Sequence, residues 1–178
     1  MAQIKLQADG LNLADTFAFS GTVTGAGGGT VKQIKTAVRD SAWTDNSGDS
    51  WVDIPDLEID IVPETGSDVW LTTSVCGVCQ MYESGIRFTR GGTGIGVGDS
   101  GTWAQTGGQL WNTNSGDETY TMVRHTTGNF VDTAPGGDGS TTITYKVQAL
   151  TNSNTFYLNV RGSSLTTIST LTAVEFTP

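Results

Sequence analysis

Short segments in which apolar and polar side chains alternate, each closed by glycine, proline or a small polar residue, recur along the chain and constrain its fold more than any other feature. Leu57-Glu58-Ile59-Asp60-Ile61 is the clearest case. Successive side chains of a strand point to opposite faces, so Leu57, Ile59 and Ile61 face a core while Glu58 and Asp60 face water, and Pro63 ends the run. Ile143-Thr144-Tyr145-Lys146-Val147-Gln148-Ala149 repeats the pattern, with Ile, Tyr, Val and Ala on one face and Thr, Lys and Gln on the other. Residues 31–39, 120–125, 141–151, 155–161 and 168–176 are further predicted strands. Val69 to Val78 is apolar or small on both faces, which predicts a central strand covered on each side by another sheet or another subunit. The chain is therefore expected to be all-β, an antiparallel β-sandwich or jelly roll.

Composition narrows the partners. With 9 Lys+Arg against 18 Asp+Glu the formal charge is −9, which repels phosphate backbones and anionic headgroups, so neither nucleic acid nor membrane is an expected partner. Only 15% of residues are charged and 24 are glycine, a balance that excludes an all-α protein. No apolar run approaches the roughly 20 residues of a membrane span, and the start of the chain lacks the basic and apolar regions of a secretory leader.

Two parts are expected within one domain's length. Residues 1–29 read as an extended N-terminal arm, in which Ile4 and Leu6, Leu11 and Leu13, and Phe17 and Phe19 form isolated apolar pairs ahead of the pliant joint Gly25-Ala-Gly-Gly-Gly29. Residues 30–178 form the sandwich. Thr22-Val23-Thr24 also suits an ordinary first strand, and what decides between the two is whether the apolar pairs touch their own domain or a neighbour.

Signals for chemistry are weak. Cys76 and Cys79 have the spacing of a redox or zinc half-site but sit on a predicted strand, where i and i+3 point to opposite faces, and no second Cys/His pair exists. His125 is the lone imidazole, without a nucleophile signature to serve. Gly91-Gly92-Thr93-Gly94-Ile95-Gly96-Val97-Gly98 lacks the Gly-Lys-Ser/Thr end of a phosphate loop and reads as a tight turn feeding a weak strand. The acidic loops at 45–50 and 112–118 have oxygens for calcium but not the glycine and terminal glutamate of an EF-hand loop. The five tryptophans, Trp43, Trp51, Trp70, Trp103 and Trp111, are read as core and interface residues, with Trp103 and Trp111 the exceptions in a polar, glycine-rich stretch. No catalytic residue, cofactor or metal is expected.

Several segments in order carry a family resemblance. They are Trp51-Val-Asp-Ile-Pro-Asp-Leu-Glu-Ile-Asp-Ile-Val-Pro63, Arg87-Phe-Thr-Arg-Gly-Gly-Thr-Gly-Ile-Gly-Val-Gly98, Asp132-Thr-Ala-Pro135, Thr144-Tyr-Lys-Val-Gln-Ala149 and Ser169-Thr-Leu-Thr-Ala-Val-Glu-Phe176. Within residues 31–178 the chain resembles small jelly-roll virion proteins of tailed bacteriophages, especially cyanophages, while the cysteine pair and the glycines at 91–98 depart from that pattern. The resemblance implies a tumour-necrosis-factor-like or complement-type sandwich that forms a homotrimer, without catalysis. Its expected role is a capsid cement or decoration protein on the capsid exterior, with the major capsid protein or another virion protein as partner.

The expected capsid-binding residues are Ile4, Leu6, Leu11, Leu13, Phe17 and Phe19, whose alternate side chains and backbone suit strand addition to a neighbouring sheet. The alternative is the receptor-binding head of a tail fibre, which would hold host surface glycans through Trp43, Asp45, Asp49, Trp103, Trp111 and Asp117. Neither a heptad pattern nor a shaft accompanies the domain, which favours the cement reading.

Overall fold

A computed structural model describes residues 30–79, 84–98, 124–151, 155–161 and 165–178. Its strands are β1 (Thr30–Arg39), β2 (Trp43–Asp45), β3 (Val52–Ile61), β4 (Asp68–Cys79), β5 (Ser84–Arg90), β6 (Thr93–Ile95), β7 (Arg124–Asp132), β8 (Ile143–Thr151), β9 (Phe156–Leu158), β10 (Val160–Arg161), β11 (Leu165–Thr166) and β12 (Ser169–Thr177). All pairings are antiparallel.

In the first sheet β1 lies beside β12, β12 beside β4 and β4 beside β7. Beyond β12, β9 takes the same edge of β4 and carries β2, so β1–β2 and β12–β9 run as two strands laid end to end. The second sheet has the order β3-β8-β5-β6, and β10 with β11 makes a small separate ribbon. The steps from β3 to β4, β4 to β5, β6 to β7 and β7 to β8 each pass from one sheet to the other, the connectivity of a jelly roll. The expected all-β sandwich is the observed architecture.

The alternating residues meet between the sheets. Leu57, Ile59 and Ile61 from β3, Val69, Leu71 and Val75 from β4, Ile86 and Phe88 from β5, Tyr145 and Val147 from β8, and Leu171 from β12 are all buried in one core. One polar group spans the interior with them. Asp132 accepts from Tyr145 Oη at 2.8 Å and from Arg90 Nη1 at 2.9 and 2.8 Å. Burial first, then the bond to Asp132, pushes the Tyr145 hydroxyl far above its usual range, so it remains a donor.

Two bulges change which residues share a face. Lys32 is the extra residue between the pairs Val31–Phe176 and Gln33–Glu175, which brings Val31 and Ile34 to the same outer side although their numbers differ in parity. In β3 the register shifts between Asp53 and Glu58, where Asp56 takes φ 66°. Arg39 clamps that bulge, donating to the Pro55 carbonyl at 3.1 Å and pairing with Asp56 at 2.6 Å.

Gln33 donates to the Val62 carbonyl at 3.2 Å and Lys35 to that of Asp60, so β1 side chains cap exposed acceptors along β3 and close the corner between the sheets.

One strand lies well off its expected place. The strand expected at 120–125 is β7, which runs from Arg124 to Asp132, while 120–123 lie outside the described residues. Its buried positions include Thr126 and Gly128, and a Cβ on Gly128 would stand 3.3 Å from the Phe88 ring, so β5 of the facing sheet fills the space and β7 carries little apolar signature. The expected turn at Gly91-Gly92 is present with φ of 55° and 84°, joining β5 to β6 as a hairpin.

Candidate functional site

The outer sides of the two sheets differ in kind. Five of the six exposed large hydrophobic residues among those described, Val31, Ile34, Val38, Trp70 and Val131, belong to the first sheet, and the sixth, Ile168, immediately precedes β12. Strand register lines them up. Ile34 is opposite Val174, Val174 opposite Trp70 and Trp70 opposite Val131, so one apolar row crosses all four strands. Val31 and Phe176 extend it toward the end where β1 begins, with Asp68 at the rim.

The next row is neutral and polar. Thr36, Thr172, Thr72 and Asn129 stand opposite one another in turn, with Thr36 and Thr172 hydroxyls 3.1 Å apart. Val38, Thr170, Ser74 and Thr127 form a third row, beyond which exposed His125 has Nδ1 3.4 Å from Ser74 Oγ. The three rows contain no ionised side chain. Burying these three rows against another surface, with Asp68 left at the rim, would therefore remove apolar area from water at roughly 25 cal/mol per Å² without desolvating a charge.

On the second sheet the outward side carries a charged cluster that is already paired, beside the neutral Thr89 and Leu150, which are buried. Lys146 Nζ lies 3.1 Å from Asp53 and 2.7 Å from Glu58, Gln148 donates to Asp53 at 2.7 Å, and Arg87 Nε donates to Gln148 at 2.8 Å. The Arg87 guanidinium also covers the Trp51 ring, 4.4 Å from its centre. Burial raises the Asp53 carboxyl, but hydrogen bonds from Gln148 and Lys146 outweigh it and hold the group below its usual range. Docking here would have to desolvate ions for bonds they already make.

A buried carboxylate braces the apolar end of the first sheet. Glu175 is 1% exposed and accepts from the Glu64 backbone N–H at 2.8 Å and from Gln33 Nε2 at 2.5 Å. Desolvation raises its pKa, yet these bonds and the Lys32 charge leave it below the ordinary glutamate value. It ties β12, β1 and the 62–67 turn together beside Phe176 and Val31.

The arm residues Ile4, Leu6, Leu11, Leu13, Phe17 and Phe19 lie outside the described residues, as do Trp103, Trp111 and Asp117. Trp43 is half-buried against the core, its ring edge-on to Phe156 with centroids 6.2 Å apart. Asp45 accepts from Ser47 Oγ at 2.8 Å, and Asp49 has φ 44° in the following turn. Cys76 is buried as a free thiol. Among the described residues no group of three or more His, Cys, Asp or Glu is arranged to hold a metal ion.

The apolar row was only partly legible in the sequence. The two-sided character of residues 69–78 pointed to a second covering surface, but not to its other members. Val174 and Phe176 stand on the opposite face of the last strand from Leu171, Ala173 and Glu175, and the acid on the inward side blurs that alternation. Val31 joins Ile34 only through the bulge, and Val131 belongs to the strand whose inward face, Thr126, Gly128, Phe130 and Asp132, is apolar at a single large residue.

No family model matches the chain, and no curated protein matches it.

Proposed function

We propose that this chain is a structural, self-associating protein, and that copies meet through the outer side of the first sheet. The observation that carries the reading is the gathering on that face of five of the six exposed large hydrophobics among the described residues. Each copy carries a formal charge of −9, so association must use a surface whose contact adds no like-charge repulsion, and the uncharged rows supply one. The bacteriophage resemblance makes the assembly a homotrimer in the virion, acting as a capsid cement or decoration protein.

The first described residue, Thr30, and the loop after β2 lie at opposite ends of the sandwich. Thr30 is opposite Thr177 at one end of β1, while β2 and the turn after it lie beyond the other end, past Arg39. In a trimer of this kind three arms would emerge from one end and could engage capsid subunits together. Ordering an arm costs about 1–2 kcal/mol per residue in backbone entropy, which apolar burial and strand hydrogen bonds must exceed. Three tethered arms raise the effective concentration of the second and third contacts, so modest single contacts release slowly.

The test is capsid binding by the full chain beside one lacking residues 1–24. The truncated chain should stay folded and self-associated but fail to decorate shells. Equal decoration by both would overturn the role of the arm, and antibody label at the tail tip of the parent particle would favour the tail-fibre alternative.

A further inference from the structure

The apolar end of the first sheet holds an open groove of about 390 Å³ lined by Val31, Trp70, Val131, Val174 and Phe176. This is near the lower end of the roughly 300–1,000 Å³ of small-ligand pockets. Such pockets fix their ligands with a few convergent polar groups, and the lining residues here are all apolar. The groove fits apolar side chains better than a small polar metabolite.

What lies upstream of the groove is informative. Val31 is the second residue of β1, so the preceding chain joins the sandwich at the groove's lip. Phe17 and Phe19 are two apart, a spacing that puts both rings on one side of an extended segment. The ten residues between Phe19 and Thr30 include five glycines. A random coil of that length and glycine content would have a relaxed span of roughly 16–19 Å. Crossing from β1 to β7 takes three strand spacings, about 14 Å. Reach and span therefore match, the condition under which a tethered segment has its highest effective concentration.

We propose that Phe17 and Phe19 occupy the groove of their own chain in the free protein and cover the association face until neighbouring copies displace them. The inference rests on reading that face as the contact between copies. A tether of that length and composition, behaving as a coil, would present the arm at an effective concentration on the order of millimolar. A second copy at micromolar concentration must therefore bind about a thousandfold more tightly than the arm to occupy the groove equally. Displacement would expose the arm as the copies associate, so the surface that grips a capsid appears only on an assembled unit.

The experiment compares the full chain with the double variant Phe17→Ser, Phe19→Ser by sedimentation equilibrium. A photo-reactive phenylalanine at position 17 reports what the arm touches, in a mixture of isotopically light and heavy chains. At low concentration the expected cross-links join position 17 to peptides of β1, β4, β7 or β12 of the same chain. If the arm fills the groove nine-tenths of the time, its removal strengthens apparent association about tenfold per copy.

Cross-links solely between light and heavy chains, or none to these strands, would overturn the proposal. So would a variant that associates no better than the full chain while the full chain associates. Same-chain cross-links in a protein whose variant never associates would support the arm's place in the groove and overturn the copy-contact reading on its own. The substitutions lie outside the core described above, and an unchanged near-ultraviolet circular dichroism spectrum would establish that the fold survives.

Discussion

The two outer faces of this sandwich solve opposite problems with similar backbones. On the second sheet Asp53, Glu58, Lys146, Gln148 and Arg87 pair with one another across three strands, and none of its described large hydrophobics is exposed. On the first sheet the corresponding positions hold Ile34, Val174, Trp70 and Val131, then threonines and asparagine, and the neutral rows leave an apolar surface uncovered. The interior of a sandwich requires only that one side of each strand be apolar. What stands on the other side is free to encode assembly, and here the faces diverge.

The largest expected effect comes from placing a charge in the apolar row. Trp70→Asp should leave the chain folded and abolish association, a loss of at least about 2 kcal/mol per contact if Trp70 anchors the interface. Size-exclusion chromatography with light scattering would show a single-chain mass. Retained association would break the distinction between the faces.

Next is a substitution between the sheets, which should affect both faces through stability. Tyr145→Phe removes the donor that reaches Asp132 at 2.8 Å and should cost about 1–3 kcal/mol in urea unfolding. A neutral result would mean that Arg90 alone satisfies the carboxylate.

A third prediction concerns acid. The folded-state pKa of Glu175 lies below its unfolded value, so its contribution is complete above the unfolded pKa of about 4.3 and is lost as pH falls through the lower folded pKa. Thermal stability should therefore decline below about pH 4.3, and Glu175→Gln should flatten that part of the profile while lowering stability at neutral pH. An unchanged acid slope would remove Glu175 as the brace of the apolar end.

The smallest effect is expected on the second sheet. Lys146→Ala breaks two ion pairs on a surface open to water, so unfolding free energy should change by less than about 1 kcal/mol and association not at all. A large change in association would show that this face also contacts a neighbour.

Much of the sandwich was legible because its core strands alternate cleanly, as in Leu57 to Ile61 and Ile143 to Ala149. The exposed face was harder to read because bulges break residue parity: only the extra Lys32 puts Val31 beside Ile34. β7 was obscured for a different reason, since Phe88 from the facing sheet fills the space above Gly128 and Phe130 is the one large apolar side chain on the strand's inward face. The arm pairs and the loop tryptophans at 103 and 111 were conspicuous in sequence, but their partners are a matter of contacts, which alternation does not specify.

Sedimentation equilibrium of the full chain, taken across its soluble concentration range and at low and high salt, tests the central claim most directly. The account predicts a mass rising to three times the 18.7 kDa of one chain. Added salt should favour the larger species, because it screens repulsion between copies of charge −9 and has no ion pair to weaken in the uncharged rows. A single-chain mass at every concentration and salt would contradict it.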